Sequence, residues 1–131
     1  MSAGEGAVAV VTGAGRGIGR AVALALAARG LRVAACARTV QQLDSLAAEV
    51  AAGGRGACLP LVADVTREQD VCRMVEAAED QLGPIEILVN NAGGGTLGAL
   101  TDTTTEQWLA AMQVNATGMF LCCREVSRRM L

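Results

Sequence analysis

The sequence predicts an α/β fold, a doubly wound parallel sheet of about four strands in the order 3-2-1-4 with helices on both faces. Three observations predict it. Short, mostly apolar runs alternate with segments of helical periodicity. A glycine-rich run, Thr12-Gly13-Ala14-Gly15-Arg16-Gly17-Ile18-Gly19, joins the first apolar run to the first helical segment. Capping residues and glycines punctuate the boundaries.

The first strand is Val8–Val11, apolar throughout, as expected where a parallel strand is buried on both faces. The first helix starts near Arg16 or Gly17. It carries Ile18, Ala21, Val22 and Ala25 at i, i+3, i+4 and i+7 and stops at Gly30. Val33–Cys36 is the second strand. Thr39-x-x-Gln42 fits a capping box for the next helix, which buries Leu43, Leu46, Ala47 and Val50 and stops at Gly53. The third strand, Cys58–Ala63, leads through a second box, Thr66-x-x-Gln69. The helix that follows carries Val71, Met74, Val75 and Ala78, and Gly83-Pro84 breaks it. Ile85–Val89 is the fourth strand. An extended loop runs from Gly93 to Thr105. Thr103-x-x-Glu106 then opens a helical stretch to Leu131, read as two helices meeting near Asn115. Right-handed crossovers set the strand order. The arrangement is Rossmann-type, and residues 1–131 read as one domain.

Composition narrows the function classes. The net charge is -2, and all 11 cations are scattered arginines, so nothing argues for nucleic acid or an acidic surface. Phe120 and Trp108 are the only aromatics, too few for a base-stacking groove. No apolar run reaches about 18 residues without a charge, which argues against a membrane span. Glu5 and Gly6 interrupt the N-terminal stretch, so no signal peptide is expected. The five cysteines are not spaced as C-x-x-C, and the chain has no histidine, so no metal site is expected. Vicinal Cys122-Cys123 suits a redox pair, and more simply the five cysteines read as buried small apolar residues of a reducing, cytoplasmic compartment.

The glycine run carries the chemistry. A helix that starts at Arg16 or Gly17 aims unpaired N–H groups and a partial positive charge at the space before it, which suits a pyrophosphate. Gly13 permits the tight turn off the strand. Gly15 and Gly17 allow close backbone approach to a ligand, and Gly19 allows close packing of the helix. The spacing, Gly13-x-x-x-Gly17-x-Gly19, departs from G-x-G-x-x-G. The flanking strand and helix make it a dinucleotide site rather than a bare turn.

Thr12-Gly-x-x-x-Gly-Ile-Gly19 resembles the short-chain dehydrogenase/reductase family, and further residues support the likeness. Asp64-Val65 follows the third strand, where the family places an aspartate against the adenine. Asn90-Asn91-Ala92-Gly93 matches the family's N-N-A-G motif. Asn115 stands where the family carries the asparagine of its catalytic set. By residue type alone, Asp64 also suits a turn into Thr66, Asn90 and Asn91 also suit strand-end turns, and Asn115 also suits a solvated helix face. The resemblance implies that Gly13, Gly15, Arg16, Gly17, Ile18, Gly19, Asp64, Val65, Asn90, Ala92 and Gly93 contact a nicotinamide dinucleotide. It implies a proton-relay role for Asn115, and an oxidoreductase that interconverts a carbonyl and an alcohol by hydride transfer.

The end of the second strand reads Cys36-Ala37-Arg38-Thr39, with no carboxylate to hold both ribose hydroxyls. Arg38 can grip a 2′-phosphate through paired hydrogen bonds, and Arg16 can reach it from the other side. NADP is therefore expected in preference to NAD. The absence of an acidic residue here also speaks against a nucleoside-cofactor methyltransferase.

The sequence contains no tyrosine, lysine or histidine. In the family a tyrosine is the acid or base, a lysine lowers its pKa, and a serine orients the substrate oxygen. By the resemblance, all three belong after residue 131. The chain therefore reads as a cofactor-binding domain truncated before the C-terminal catalytic part, and inactive alone. The alternative is a non-catalytic dinucleotide-binding module, or one half of a two-chain assembly. An unpaired edge at Ile85–Val89 and uncovered Met119 and Phe120 would follow, with a homo-oligomer or a complementary chain as partner.

Overall fold

The structure is a computed structural model and describes residues 4–95 and 98–131. Four parallel strands form one sheet: β1 (Val8–Thr12), β2 (Arg32–Ala37), β3 (Ala57–Val62) and β4 (Ile85–Val89), ordered β3-β2-β1-β4. The predicted topology holds. β1 lies in the middle, in register with β2 from Val8 opposite Arg32 to Thr12 opposite Cys36. A register irregularity lies between Val8 and Ala9 on the β4 side.

Helices α1 (Gly17–Ala28), α2 (Val40–Gly53), α3 (Glu68–Leu82), α4 (Thr105–Met112) and α5 (Gly118–Met130) connect and cover the sheet. The period-2 alternation of the strands divides the core. Val8, Val10, Ala34 and Cys36 pack with Val71, Met74 and Val75 of α3 and with Cys122 and Val126 of α5. Val11, Val33 and Ala35 pack on the other face with Ala23 and Ala27 of α1 and Leu43 and Leu46 of α2. The central strand β1 is buried along its whole length and β2 from Val33 to Cys36, which is why these two runs are apolar; β3 and β4, at the sheet edges, are mostly half-buried, and β4 carries the exposed Glu86.

The buried stripe of α1 differs from the predicted one. Gly19, Ala23 and Ala27 are buried, whereas Ile18 is 76% exposed and Ala21 and Ala25 also face solvent. Apart from Arg20, this helix carries no charged or polar side chain, so its hydrophobic period does not select a face. Closeness to the sheet and the glycine loop does, and it selects the smallest residues. The α3 stripe is as predicted and the α2 stripe is too except that Ala47 is half-buried, because polar residues mark their outer faces.

Helix boundaries differ by about one residue, within the usual ambiguity of helix ends. Thr39 and Arg67 occupy the N-cap positions of α2 and α3, and neither side chain caps its helix. Thr66 instead donates its hydroxyl to Asp64 Oδ1 at 2.7 Å. The box expected at Thr103 and Glu106 is formed one residue on, by Thr104 and Gln107. Gly54, not Gly53, adopts the left-handed cap of α2, with φ 68°. Gly83 ends α3 as expected.

The break near Asn115 is a π-helical turn, Gln113–Thr117, that joins α4 to α5 without interrupting the helical path. No residue of α4 is buried. Trp108 (57% exposed), Leu109, Met112, Met119 and Phe120 leave an apolar face open, and β4 forms one edge of the sheet.

Candidate functional site

All four strands point their carboxyl ends at one cleft of about 660 Å³. β1 delivers the glycine loop to its floor. Gly13 has φ 62° and Gly17 has φ 58°, both in the left-handed region that a side chain disfavours. Arg16 is the N-cap of α1, and its side chain makes no cap. The first-turn N–H groups of α1 therefore face the cleft without a side-chain acceptor, the arrangement that attracts an anion.

Thr12 fixes the loop to its neighbour. Its side chain, in a residue 1% exposed, accepts from the Asn91 N–H at 3.1 Å and the Ala92 N–H at 3.0 Å and donates to the Val89 carbonyl at 3.4 Å. Asn91 Nδ2 closes the bracket by donating to the Gly13 carbonyl at 3.1 Å. Gly19 packs directly beneath: a Cβ there would strike the Gly13 carbonyl and the Asn91 amide. Gly19 is thus a glycine because of the loop above it rather than the sheet behind it.

The structure places most of the predicted residues together. Gly13, Gly15, Arg16, Gly17 and Ile18 line one wall of the cleft, with Arg38, Asp64 and Val65 on the next. Ala92 and Gly93 close the far side. Gly19 and Asn90 are the exceptions: Gly19 packs beneath the loop instead of lining the cleft, and Asn90 Nδ2 lies 3.1 Å from Cys123 Sγ on α5, outside the cleft lining. Asn91 is the member of the pair that reaches the glycine loop. The alternating pleat decides this, since consecutive residues at a strand end point to opposite faces. Thr12 and Gln42 line or brace the site without being named as site residues by the sequence reading, whereas Asn91, in the N-N-A-G motif, is a loop-bracing residue that the family resemblance implies. The hydroxyl at the end of the central strand was the available signal for Thr12.

Asp64 serves the turn. Its Oδ1 accepts from the Thr66 hydroxyl and the Thr66 N–H at 3.0 Å, and its own N–H donates to Asp70 Oδ2 at 2.9 Å. The Thr66 hydroxyl bond, aided by the Thr66 N–H and the charges of Arg38 and Arg67, holds the Asp64 carboxyl below the usual carboxylate range. The Asp64 carboxylate is therefore ionised at the cleft rim. Arg16 and Arg38 are exposed and make no salt bridge among the described residues, so two guanidinium groups are available to a ligand anion.

Asn115 lies in the π-helical turn. Its Nδ2 donates to the Gly94 carbonyl at 2.5 Å and the Ala111 carbonyl at 2.8 Å, and its Oδ1 accepts from the Gly94 N–H at 3.3 Å. The side chain clamps the loop after β4, with both Nδ2 hydrogens donated to backbone carbonyls. Among the described residues no cluster of side chains could hold a metal ion.

The short chain dehydrogenase family model matches residues 7–131. The chain is 40% identical over 132 residues to the 3-oxoacyl-[acyl-carrier-protein] reductase of a Synechocystis species, covering 100% of this chain and 53% of that protein. A short-chain type dehydrogenase/reductase from Mycobacterium marinum superposes with TM-score 0.92 at 39% identity, covering 96% of this chain and 51% of that one. Actinorhodin polyketide ketoreductase, solved with NADPH, gives TM-score 0.88 at 36% identity, covering 94% of this chain and 47% of that one. The chain spans about half the length of the curated relatives it matches.

Proposed function

The chain belongs to the short-chain dehydrogenase family, and from that premise we propose that it is the NADP(H)-binding part of an oxidoreductase that interconverts a carbonyl and an alcohol. One observation carries the reading: an uncapped helix N-terminus opens on a cleft at the carboxyl ends of the strands, between Arg16 and Arg38. The pyrophosphate lies against the first turn of α1, where the N–H groups lack partners. The adenosine ribose lies toward Arg38, whose planar guanidinium suits a 2′-phosphate. The bound nucleotide supplies or accepts the hydride. Thr12 and Asn91 keep the loop rigid, and Asn115 holds the segment from Gly93 to Gly95 against α4.

Proton transfer to the substrate oxygen needs a group of suitable pKa within hydrogen-bond reach. The sequence has no tyrosine, lysine or histidine to provide it, and Asn115 has its amide committed to backbone. The 131-residue chain therefore binds the nucleotide and does not turn over a ketone. Its partner is a second copy or a complementary chain covering Trp108, Leu109, Met112, Met119 and Phe120. The exposed apolar face of α4 and α5 supports this. Among the described residues no helix is long and apolar enough to cross a membrane, and we place the protein in the cytoplasm.

Calorimetric titration with NADPH and NADH tests the reading, together with absorbance at 340 nm after a ketone is added to the NADPH complex. NADPH binds more tightly than NADH, and the absorbance stays constant. Heat with neither nucleotide above background refutes the binding role. Steady loss of absorbance refutes the inactivity.

A further inference from the structure

Gln42 stands in the cleft with no structural task. The sequence pairs it with Thr39 as a capping box, yet the Thr39 side chain caps nothing. Its amide makes no hydrogen bond among the described residues, whereas the bonds of the neighbouring α1–α2 contact run from Arg20 to Glu49 and Ser45. Arg124 Nε is the one buried side-chain nitrogen or oxygen without a partner among those residues, so the Gln42 amide reaches solvent. The solvent it reaches is the cleft, which Gln42 lines together with Gly15, Ala37 and Arg38.

Its position over Gly15 is close. Gln42 Oε1 lies 2.5 Å, and Gln42 Cβ 3.2 Å, from the point a Cβ on Gly15 would occupy. The Ala37 Cβ closes the same space at 3.3 Å. The amide therefore occupies the volume that a side chain at position 15 would fill, between the glycine loop and the end of β2.

Resting on the NADP(H) reading above, we propose that Gln42 is a specificity-determining residue whose amide hydrogen-bonds the 2′ position of the adenosine ribose from the Gly15 side. An amide is both donor and acceptor. Nε2 donates to an oxygen of a 2′-phosphate, and Oε1 accepts from a free 2′-hydroxyl. Gln42 thus meets either nucleotide, binds the charged 2′-phosphate more strongly than a hydroxyl, and adds to the preference that Arg16 and Arg38 set. A carboxylate in its place keeps the acceptor, loses the donor and repels a phosphate.

Dissociation constants for NADPH and NADH, measured by calorimetry on the wild-type chain, Gln42→Ala and Gln42→Glu, test this. Gln42→Ala weakens NADPH by roughly tenfold, the loss of one hydrogen bond to a charged group, and NADH by less. Gln42→Glu, of the same shape, raises the ratio of the NADPH to the NADH constant by about tenfold or more. If Gln42→Ala does not fold, the ratio for Gln42→Glu decides alone. A ratio within about twofold of wild type in the folded variants overturns the role of Gln42 and leaves the nucleotide site standing. A wild-type chain that binds neither nucleotide overturns the underlying reading, and Gln42 with it.

Discussion

Replacing Thr12 with valine probes the joint between the two halves of the site. Valine keeps the shape of threonine and removes the hydroxyl. In the wild-type chain that oxygen accepts from two backbone N–H groups, of Asn91 and Ala92, at 3.1 and 3.0 Å. An N–H left without a partner inside a protein costs about 1–3 kcal/mol. Both donors are half-buried, so water recovers part of this. The lower half of the range applies to each, giving about 2–4 kcal/mol in total. That is a large share of the roughly 5–15 kcal/mol that keeps a domain folded. Urea denaturation followed by far-UV circular dichroism measures it, with Thr12→Ser as the control that retains the hydroxyl. The midpoint should fall for Thr12→Val with an unchanged slope, and Thr12→Ser should stay nearer wild type. A loss under about 0.5 kcal/mol, or equal losses in both variants, would show that the hydroxyl is not the joint.

Three further outcomes follow from the same geometry. Gly19→Ala drives a methyl into the Gly13 carbonyl and the Asn91 amide, displacing the glycine loop. Calorimetry should register at least about a tenfold loss of NADPH affinity, and an unchanged affinity contradicts the packing argument. The Asp64 and Asp70 carboxyls are held low, the first by the Thr66 hydroxyl and the second by the Asp64 N–H. Each is a depressed folded-state pKa, so its stabilisation is present above the unfolded value near ~4 and is lost as pH falls through the folded value. Urea titrations from pH 5 downward should show this decline, with a smaller one in Asp64→Asn; equal declines in both proteins count against it. Burial pushes the Cys58 and Cys122 thiols up to about 11 and Cys36 higher still, whereas Cys123, contrary to the expectation of buried cysteines, is exposed on α5. Iodoacetamide under native conditions should label Cys123 first and Cys36 last, as peptide mass mapping would report, and early labelling of Cys36 would contradict the packing.

The sequence made the sheet order legible because the four strands are mostly apolar and the crossovers allow one hand. It made α2 and α3 legible because Gln, Glu and Asp mark their outer faces. α1 was not legible in the same way. Its apolar residues surround the axis; closeness to Gly13 and Asn91 places Gly19 inward, which carries Ala23 and Ala27 of the same face onto the sheet and turns Ile18 out. Threonine capping boxes at Thr39 and Thr66 misled for a local reason. At Thr66 the helix begins one residue later, behind Arg67, and the hydroxyl donates to Asp64; Thr39 holds the N-cap position without a side-chain bond to the helix. The glycine loop was readable from composition, because left-handed backbone at Gly13 and Gly17 restricts the residue type. Which asparagine of the Asn90-Asn91 pair meets that loop was not, because it depends on the phase of the pleat at the end of β4.

The central claim is that backbone N–H groups of the glycine loop and the first turn of α1 hold a dinucleotide. Mapping amide chemical shifts of the nitrogen-15-labelled chain during NADPH addition tests it most directly. Saturable shifts should concentrate at Gly13, Gly15, Gly17 and Gly19, with a second group at Arg38, Asp64 and Ala92. Shifts confined to α4 and α5, or none as NADPH is raised into the millimolar range, would contradict the claim.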